Sequence, residues 1–404
     1  MAHESLIDPL REWLIDQALG EPDILKIFET ACLRLSASGI PIARGRLVWQ
    51  TLHPMIRAEQ VMWNRGGTAT FEYFAHRDRQ DDLWMASPMR HVIANRLALF
   101  RRQLFGPNET LDFPVLHELK AQGYTDYCIL STPLEMVKFK IDADMLASGG
   151  ILMTWATDRA NGFSSDDLEA LQSLQKTFAL ACKTVVQTRI ANNVAETYLG
   201  SRAGRSVLDG NIRRGDGEEI AAVIWYSDMR NSTALAESLG REQYFKLLNA
   251  YFEAIAGPVV EHGGEVLDFI GDAVLGIFPF SDDYGMRRAA QMAAAALDDA
   301  LAAARNANRD RETHGLERFG FGIGLNVGNV MFGNIGIPKR LAFSVIGQAV
   351  NEAARIEGMT KLLQKPVLAS GRAAGLDAAR WQSVGAHKLD GVLDPVELFA
   401  LKAA

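Results

Sequence analysis

The chain has 404 residues, 48% hydrophobic and 23% charged, enough apolar mass for two or three soluble domains rather than one. A formal net charge of −7 disfavours a nucleic-acid-binding surface, so any phosphate ligand needs locally placed donors or a metal ion. Cys32, Cys128 and Cys182 are widely separated, which suits a reducing cytoplasm better than a disulfide framework or a metal cluster. The opening MAHESLIDPLREW carries charges and a proline where a signal peptide needs an apolar core. No run of about eighteen uninterrupted apolar residues is present, so a cytoplasmic protein without a membrane span is expected.

Residues 4–38 read as helix, with Leu6, Leu10, Leu14, Ile24, Ile27, Phe28, Leu33 and Leu35 giving apolar stripes broken at Gly20–Pro22. PIARGRLVWQTLHPMIRAEQVMWNR predicts two short strands around Pro54. FEYFAHRD then reads as strand and 88–104 as helix, and GYTDYCILSTPLE and GGILMTWATDRANGF read as further strands. A long helix follows from 163, with Ser164 as N-cap and Asp167 at N3. This order, closed by a Phe-Ser-x-x-Asp-Leu helix start, resembles a GAF-type sensory domain. The resemblance implies a small-molecule ligand of the N-terminal domain or a dimer platform. Trp49, His53, Trp63 and Trp155 are candidates to line a pocket; the alternative places the aromatics in the core and the histidine in a turn beside Pro54.

The exit helix is expected to reach about Leu199. Leu171, Leu174, Phe178, Ala181 and Val185 form a heptad-like seam, whose position suggests a dimeric signalling linker. Gly200, Gly204, Gly210, Gly215 and Gly217 punctuate RAGRSVLDGNIRRGDGE, which reads as a turn-rich hinge.

Beyond the hinge, AAVIWYSDMRNST and VLDFIGDAVLGIF each run a buried-strand pattern into an aspartate, Asp228 and Asp272. Tyr244, Leu247, Leu248, Tyr251, Ile255 and Val259 recur at helical spacing between them. A strand–helix–hairpin unit brings both carboxylates to one edge, where they repel unless a divalent cation such as Mg²⁺ or Mn²⁺ lies between them. Each aspartate alone also reads as a solvated loop residue or helix cap. Gly271 permits a tight hairpin, and Met229, Arg230, Asn231, Ser232 and Thr233 present backbone N–H groups at a helix entrance, a phosphate cradle. FGFGIGLNVGNVMFGNIG at 319–336 reads as a strand–turn–strand hairpin; no helix opens after its glycines, which excludes a dinucleotide-binding turn. The Ala-rich stretch near 289–304, interrupted by Asp298 and Asp299, reads as a soluble helix.

YSDMRNST and FIGDAVLGIF resemble the two metal-binding motifs of class III nucleotidyl cyclases, and VIGQAVNEAARIE (345–357) resembles the family's third motif, in family order and spacing. The resemblance implies an α+β fold: a ferredoxin-like βαββαβ domain with a mostly antiparallel sheet, preceded by an α/β GAF-like domain and a helical linker. The corresponding division is 1–165, 166–217 and 218–404. It further implies attack of a nucleoside triphosphate's 3′-hydroxyl on its α-phosphorus, with two Mg²⁺ or Mn²⁺ ions held by Asp228, Asp272 and the Met229 carbonyl. Asn351 would orient the ribose and Arg355 would stabilise charge on the α-phosphate. Four residues apart, these two share one helix face; without the aspartate motifs they also read as ordinary surface residues. In the family the two sets of residues come from opposite subunits, so the resemblance implies a homodimer with shared sites.

Three positions depart from the family pattern. Where adenylate cyclases place a base-reading Lys and an Asp or Thr, this chain has Asp268 and Ser344. An aspartate and a hydroxyl suit the donors of guanine, whereas a hydroxyl at the second position also occurs among bacterial adenylate cyclases. ATP is kept ahead of GTP by analogy alone. Asp390 stands where many members carry a cation for the triphosphate, with Lys388 nearby, which keeps open a cyclase-fold module that binds nucleotide and catalyses little.

Overall fold

The computed structural model describes residues 4–20, 23–76, 82–142, 145–392 and 394–402. Glu21 and Pro22 of the expected helix break, and Arg77 and Asp78 of the expected third strand, lie outside the described residues. The chain divides into two compact units, 1–194 and 195–404.

In the first unit, α1 (Glu4–Leu19) and α2 (Ile24–Ala37) precede the strands β1 (Arg44–Gln50), β2 (Ile56–Asn64) and β3 (Thr70–Ala75). Next come α3 (Asp82–Met85), α4 (Pro88–Ala94), β4 (Leu99–Gln103), α5 (Pro114–Ala121), β5 (Asp126–Asp142), β6 (Met145–Thr157) and the long α6 (Ser165–Leu199). The expected helix over 88–104 is corrected: only its first half is helical. Ser87 caps α4 and Pro88 starts it, Arg96 takes a left-handed φ of 54°, and Leu99–Gln103 then pairs antiparallel with β5.

The six strands form one antiparallel sheet in the order β3-β2-β1-β6-β5-β4. Alternation sorts its side chains onto two faces. Leu47, Trp49, Cys128, Leu130, Met153 and Trp155 meet the apolar stripes of α1, α2 and α6. Val48, Tyr127, Ile129 and Leu152 meet α4 and α5 on the opposite face. Cys32, Cys128 and Cys182 are all buried and free. Burial raises all three thiol pKa values.

At the start of α6, the Asp167 amide donates to Ser164 Oγ at 3.2 Å and the Ser164 amide donates to Asp167 Oδ2 at 2.7 Å, the reciprocal box expected from the sequence. The seam of Leu171, Leu174, Phe178, Ala181 and Val185 is buried in this unit's own core. Its heptad-like spacing therefore serves intramolecular packing, which corrects the reading of those residues as a coiled-coil seam.

The second unit opens on α7 (Ser201–Leu208), so the stretch read as a turn-rich hinge contains a helix. Its glycines mislead: Gly200, at φ 84°, breaks the chain out of α6, but Gly204 lies inside α7, where its missing side chain allows the Ala195 backbone to approach. Then follow β7 (Gly217–Arg230), α8 (Ser232–Ser238), α9 (Arg241–Glu261), β8 (Glu265–Ile270), β9 (Ala273–Phe280), α10 (Asp283–Thr313) and β10 (Gly320–Ile337). Omitting the two-turn α8, this is the expected βαββαβ order. β11 (Arg340–Ile346), α11 (Gln348–Leu362), β12 (Val367–Ser370), α12 (Gly371–Ala374), β13 (Trp381–His387) and β14 (Val396–Leu401) complete the unit.

The second sheet runs β13-β14-β12-β10-β7-β9-β8, with β11 folded back on β10; β10–β12 is its one parallel pairing among the described strands. One face packs Val223, Trp225, Val274, Phe278 and Ile323 against α9 and α10. The other packs Ile220, Ala222, Ile224, Leu275 and Ile277 against α7 and α11. The mixed α+β architecture expected from the sequence is present. Among the described residues, no helix is long and apolar enough to cross a membrane.

Candidate active site

β7 is long and buried because its residues are β-branched or aromatic through Val223, Ile224, Trp225 and Tyr226. Near its end stands Asp228, which pairs with Ala273 of β9 on one side and Gly322 of β10 on the other. Asp272 immediately precedes Ala273, in the turn where Gly271 takes φ 66°. The register of β7 on β9 thus sets the two aspartates side by side, within hydrogen-bonding reach of one another.

Asp228 Oδ1 is buried and has no hydrogen-bond partner. Burial, then the neighbouring Asp272, pushes the Asp228 carboxyl up to about 6. Two carboxylates are acceptors only, so their approach requires a shared proton or a cation. Beneath them, Ser227 and Tyr251 share a buried hydrogen bond of 2.8 Å between β7 and α9, which stiffens the strand end.

A third carboxyl faces this edge. Glu357 on α11 is pushed up to about 7 by burial and by the charge of Asp228. It fits because Gly322 has no side chain: a Cβ there would overlap Glu357 Oε1 and Thr360 Oγ1. The sequence reading missed Glu357. The signal available was a glutamate directly after a core isoleucine, Ile356, in a helix whose facing strand is glycine-rich.

The remaining candidates are placed as follows. Met229 is buried, and Arg230 donates to the Thr360 and Lys365 carbonyls at 3.3 Å, which turns its guanidinium toward the C-terminal end of α11. Asn231 takes a left-handed φ of 59° and leads into α8, whose first residues are Ser232 and Thr233. Asn351 and Arg355 lie one turn apart on α11; Asn351 is exposed, and Arg355 is half-buried with its guanidinium against Gly391. Among the described residues, neither contacts Asp228 or Asp272 by a side-chain hydrogen bond or ion pair. Asp268 is exposed on β8, Ser344 is half-buried on β11, and these two strands pack against each other. Lys388 and Asp390 are both exposed.

In the first unit, a cavity of about 480 Å³ lies between the sheet and α4. Trp49, Trp84, Val92, Leu97 and Leu152 line it, with Arg57 and Arg96 among its polar residues. Trp63 and Trp155 are core residues and His53 Nδ1 accepts from the Met55 and Ile56 amides; of the four candidates Trp49 borders this cavity, with its ring packed on the opposite, core face of the sheet beside Phe71. The turn-and-core alternative describes the other three.

The adenylate and guanylate cyclase catalytic domain family matches residues 218–387. An adenylate cyclase of Anabaena cylindrica is 35% identical over 153 residues, covering 37% of this chain and 30% of the relative. An uncharacterized protein of Mycobacterium tuberculosis is 36% identical over 207 residues, 49% of this chain and 36% of that protein. Each alignment spans about a third of the relative's length. The crystal structure of the guanylyl cyclase Cya2 superposes with a TM-score of 0.40 at 31% identity, covering 46% of this chain and 93% of that one. From the family match, the chain carries, at 218–387, a class III nucleotidyl cyclase domain.

Proposed function

We propose that the protein converts a nucleoside triphosphate, ATP ahead of GTP, to its 3′,5′-cyclic monophosphate and pyrophosphate. The carrying observation is the Asp228–Asp272 pair with its partnerless, buried Oδ1. Among the described residues no group of three or more His, Cys, Asp or Glu side chains is placed to hold a metal ion, and the candidate donors are the Asp228 and Asp272 carboxylates with the Met229 carbonyl oxygen. That hard, all-oxygen set fits Mg²⁺ or Mn²⁺, two per site, held by Asp228, Asp272 and the Met229 carbonyl. When bound, the ions supply charge neutralisation for the triphosphate and acidify the 3′-hydroxyl.

The chain's own residues then do the positioning on which phosphoryl transfer depends. Asn351 orients the ribose, so that its 3′-oxygen faces the α-phosphorus. The 3′-O–H proton is released to solvent water, the new O–P bond forms, and the bond to the β-phosphate oxygen breaks to release pyrophosphate. Arg355 donates to the α-phosphate oxygens as charge grows there. Because Arg230 is engaged with carbonyls, any phosphate contact of the 230–233 segment falls to the backbone N–H groups of Asn231, Ser232 and Thr233. Asn351 and Arg355 act on the substrate held by the partner subunit's aspartates, which makes a homodimer the working unit.

ATP is favoured because the named relatives in Anabaena cylindrica and Rhizobium meliloti are adenylate cyclases. A guanylate cyclase is the second reading, supported by the packing of β8 on β11, which draws the strands of Asp268 and Ser344 together. A regulatory ligand of the N-terminal unit, consistent with GAF-like architecture, would occupy the 480 Å³ cavity. Incubation with ATP, GTP, CTP and UTP and either metal, beside Asp272→Ala, tests the reading. Cyclic product from one nucleotide, absent in the variant, supports it; no product from any nucleotide with a folded dimer favours the nucleotide-binding module.

A further inference from the structure

The ion pairs of α7 join two strands that are not neighbours. Arg202 Nε and Nη2 donate to the Glu265 carboxylate at 2.8 and 2.6 Å, and its Nη1 donates to Glu218 at 2.9 Å. Glu218 is near the start of β7 and Glu265 is the first residue of β8, with β9 between the two strands. Followed along the chain, β7 passes through Asp228 close to its end at Arg230, and β8 turns through Gly271 into Asp272. One guanidinium therefore ties together the feet of the two strands whose far ends lead to the paired aspartates.

The rest of α7 is built to hold this contact in place. Ala203 is 1% exposed, packed in the cluster that includes Ile220, Ile224 and Ile277. A Cβ on Gly204 would lie 2.7 Å from the Ala195 carbonyl carbon, so α7 folds tightly back on the end of α6. An open cavity of about 880 Å³ beside α7 is lined by Arg205, Ser206, Phe332 and Phe343 as well as by the three clasp residues.

We propose that Arg202 is a positioning residue: by clasping Glu218 and Glu265 it fixes the relative placement of β7 and β8, and through them the spacing of Asp228 and Asp272. This rests on the cyclase reading of those aspartates. A two-metal site tolerates misplacement of only about half an ångström, so loosening the feet of the strands costs rate at their ends. The forked guanidinium is essential, because a lysine ammonium is a single point charge and cannot span both carboxylates in the same planar geometry.

The test compares wild type with Arg202→Lys, Glu265→Gln and the swap Arg202→Glu/Glu265→Arg in the full chain. Three quantities are read: turnover under saturating nucleotide, Mn²⁺ affinity by EPR without nucleotide, and thermal midpoint. Positioning predicts that Arg202→Lys and Glu265→Gln lower kcat at least tenfold and weaken Mn²⁺ binding several-fold in protein that remains folded, with partial recovery in the swap. A purely structural ion pair predicts a lower thermal midpoint with kcat per folded molecule and Mn²⁺ affinity unchanged, and that result overturns the proposal. If wild type yields no cyclic product yet the Mn²⁺ affinity still responds to Arg202→Lys, the cyclase reading fails and the positioning role stands.

Discussion

Replacing Asp272 with asparagine should make the metal-free protein more stable at alkaline pH while abolishing its chemistry. The Asp228 carboxyl rises from 3.8 to about 6, and at ~1.4 kcal/mol per pH unit this corresponds to ~3 kcal/mol of disfavour for its ionised form. Burial, the largest cause, survives the substitution. Asp228 is only half-buried, so solvent screening reduces the share owed to Asp272 to about 1 kcal/mol. A carboxyl whose folded pKa is raised contributes stability that is fully present below its unfolded value, near 3.8, and lost as pH climbs through about 6. Urea denaturation in EDTA should therefore show Asp272→Asn about 1 kcal/mol more stable than wild type at pH 8 and indistinguishable from it at pH 4. Millimolar Mn²⁺ at pH 8 should reverse the order, because it stabilises only the intact pair. A variant equally destabilised at both pH values, or a wild type indifferent to Mn²⁺, would refute the reasoning.

Three other perturbations probe separate layers of the molecule. Mixing Asp272→Asn with Arg355→Ala protein, each inactive alone, should restore about a quarter of wild-type turnover, since half the random dimers are mixed and each has one intact site; no recovery after verified subunit exchange argues against sites shared between subunits. Gly324→Ala should cost about 1–3 kcal/mol in thermal or urea unfolding, because its Cβ would overlap the Ala353 carbonyl and push α11 off β10; turnover should fall with it, as α11 carries Asn351 and Arg355. Ser164→Ala, which removes half of the reciprocal cap on α6, should destabilise the first unit by about 1 kcal/mol and leave Mn²⁺ affinity untouched.

The second unit was legible in the sequence wherever side-chain pattern and backbone geometry agree. The β-branched runs into Asp228 and Asp272 form the expected strands β7 and β8, which the β8–β9 hairpin brings to one edge, and Leu247, Tyr251, Ile255 and Val259 form the buried stripe of α9. The errors have a common cause, which is that local composition does not say what a segment packs against. Glycines at 200 and 204 read alike as turn formers, yet one breaks a helix and the other lies inside one because a neighbouring backbone presses on it. Leu99–Gln103 reads in the sequence as the second half of a helix, but β5 offered its edge and took it as a strand. The seam on α6 has the spacing of a coiled coil because the same spacing serves any helix packed on a sheet. Glu357 escaped notice because its burial depends on an absent side chain at Gly322, on another element entirely.

The three buried cysteines have a practical consequence. Their sulfurs are packed within the first unit and held protonated by burial, so the folded chain should be silent toward maleimide or iodoacetamide at neutral pH. Leu208, 45% exposed at the end of α7, then becomes a site where a single introduced thiol can carry a fluorophore without first constructing a cysteine-free background. Native labelling chemistry thus gives optical access to the helix that Arg202 anchors, and its movement can be followed in real time while nucleotide or metal is added elsewhere.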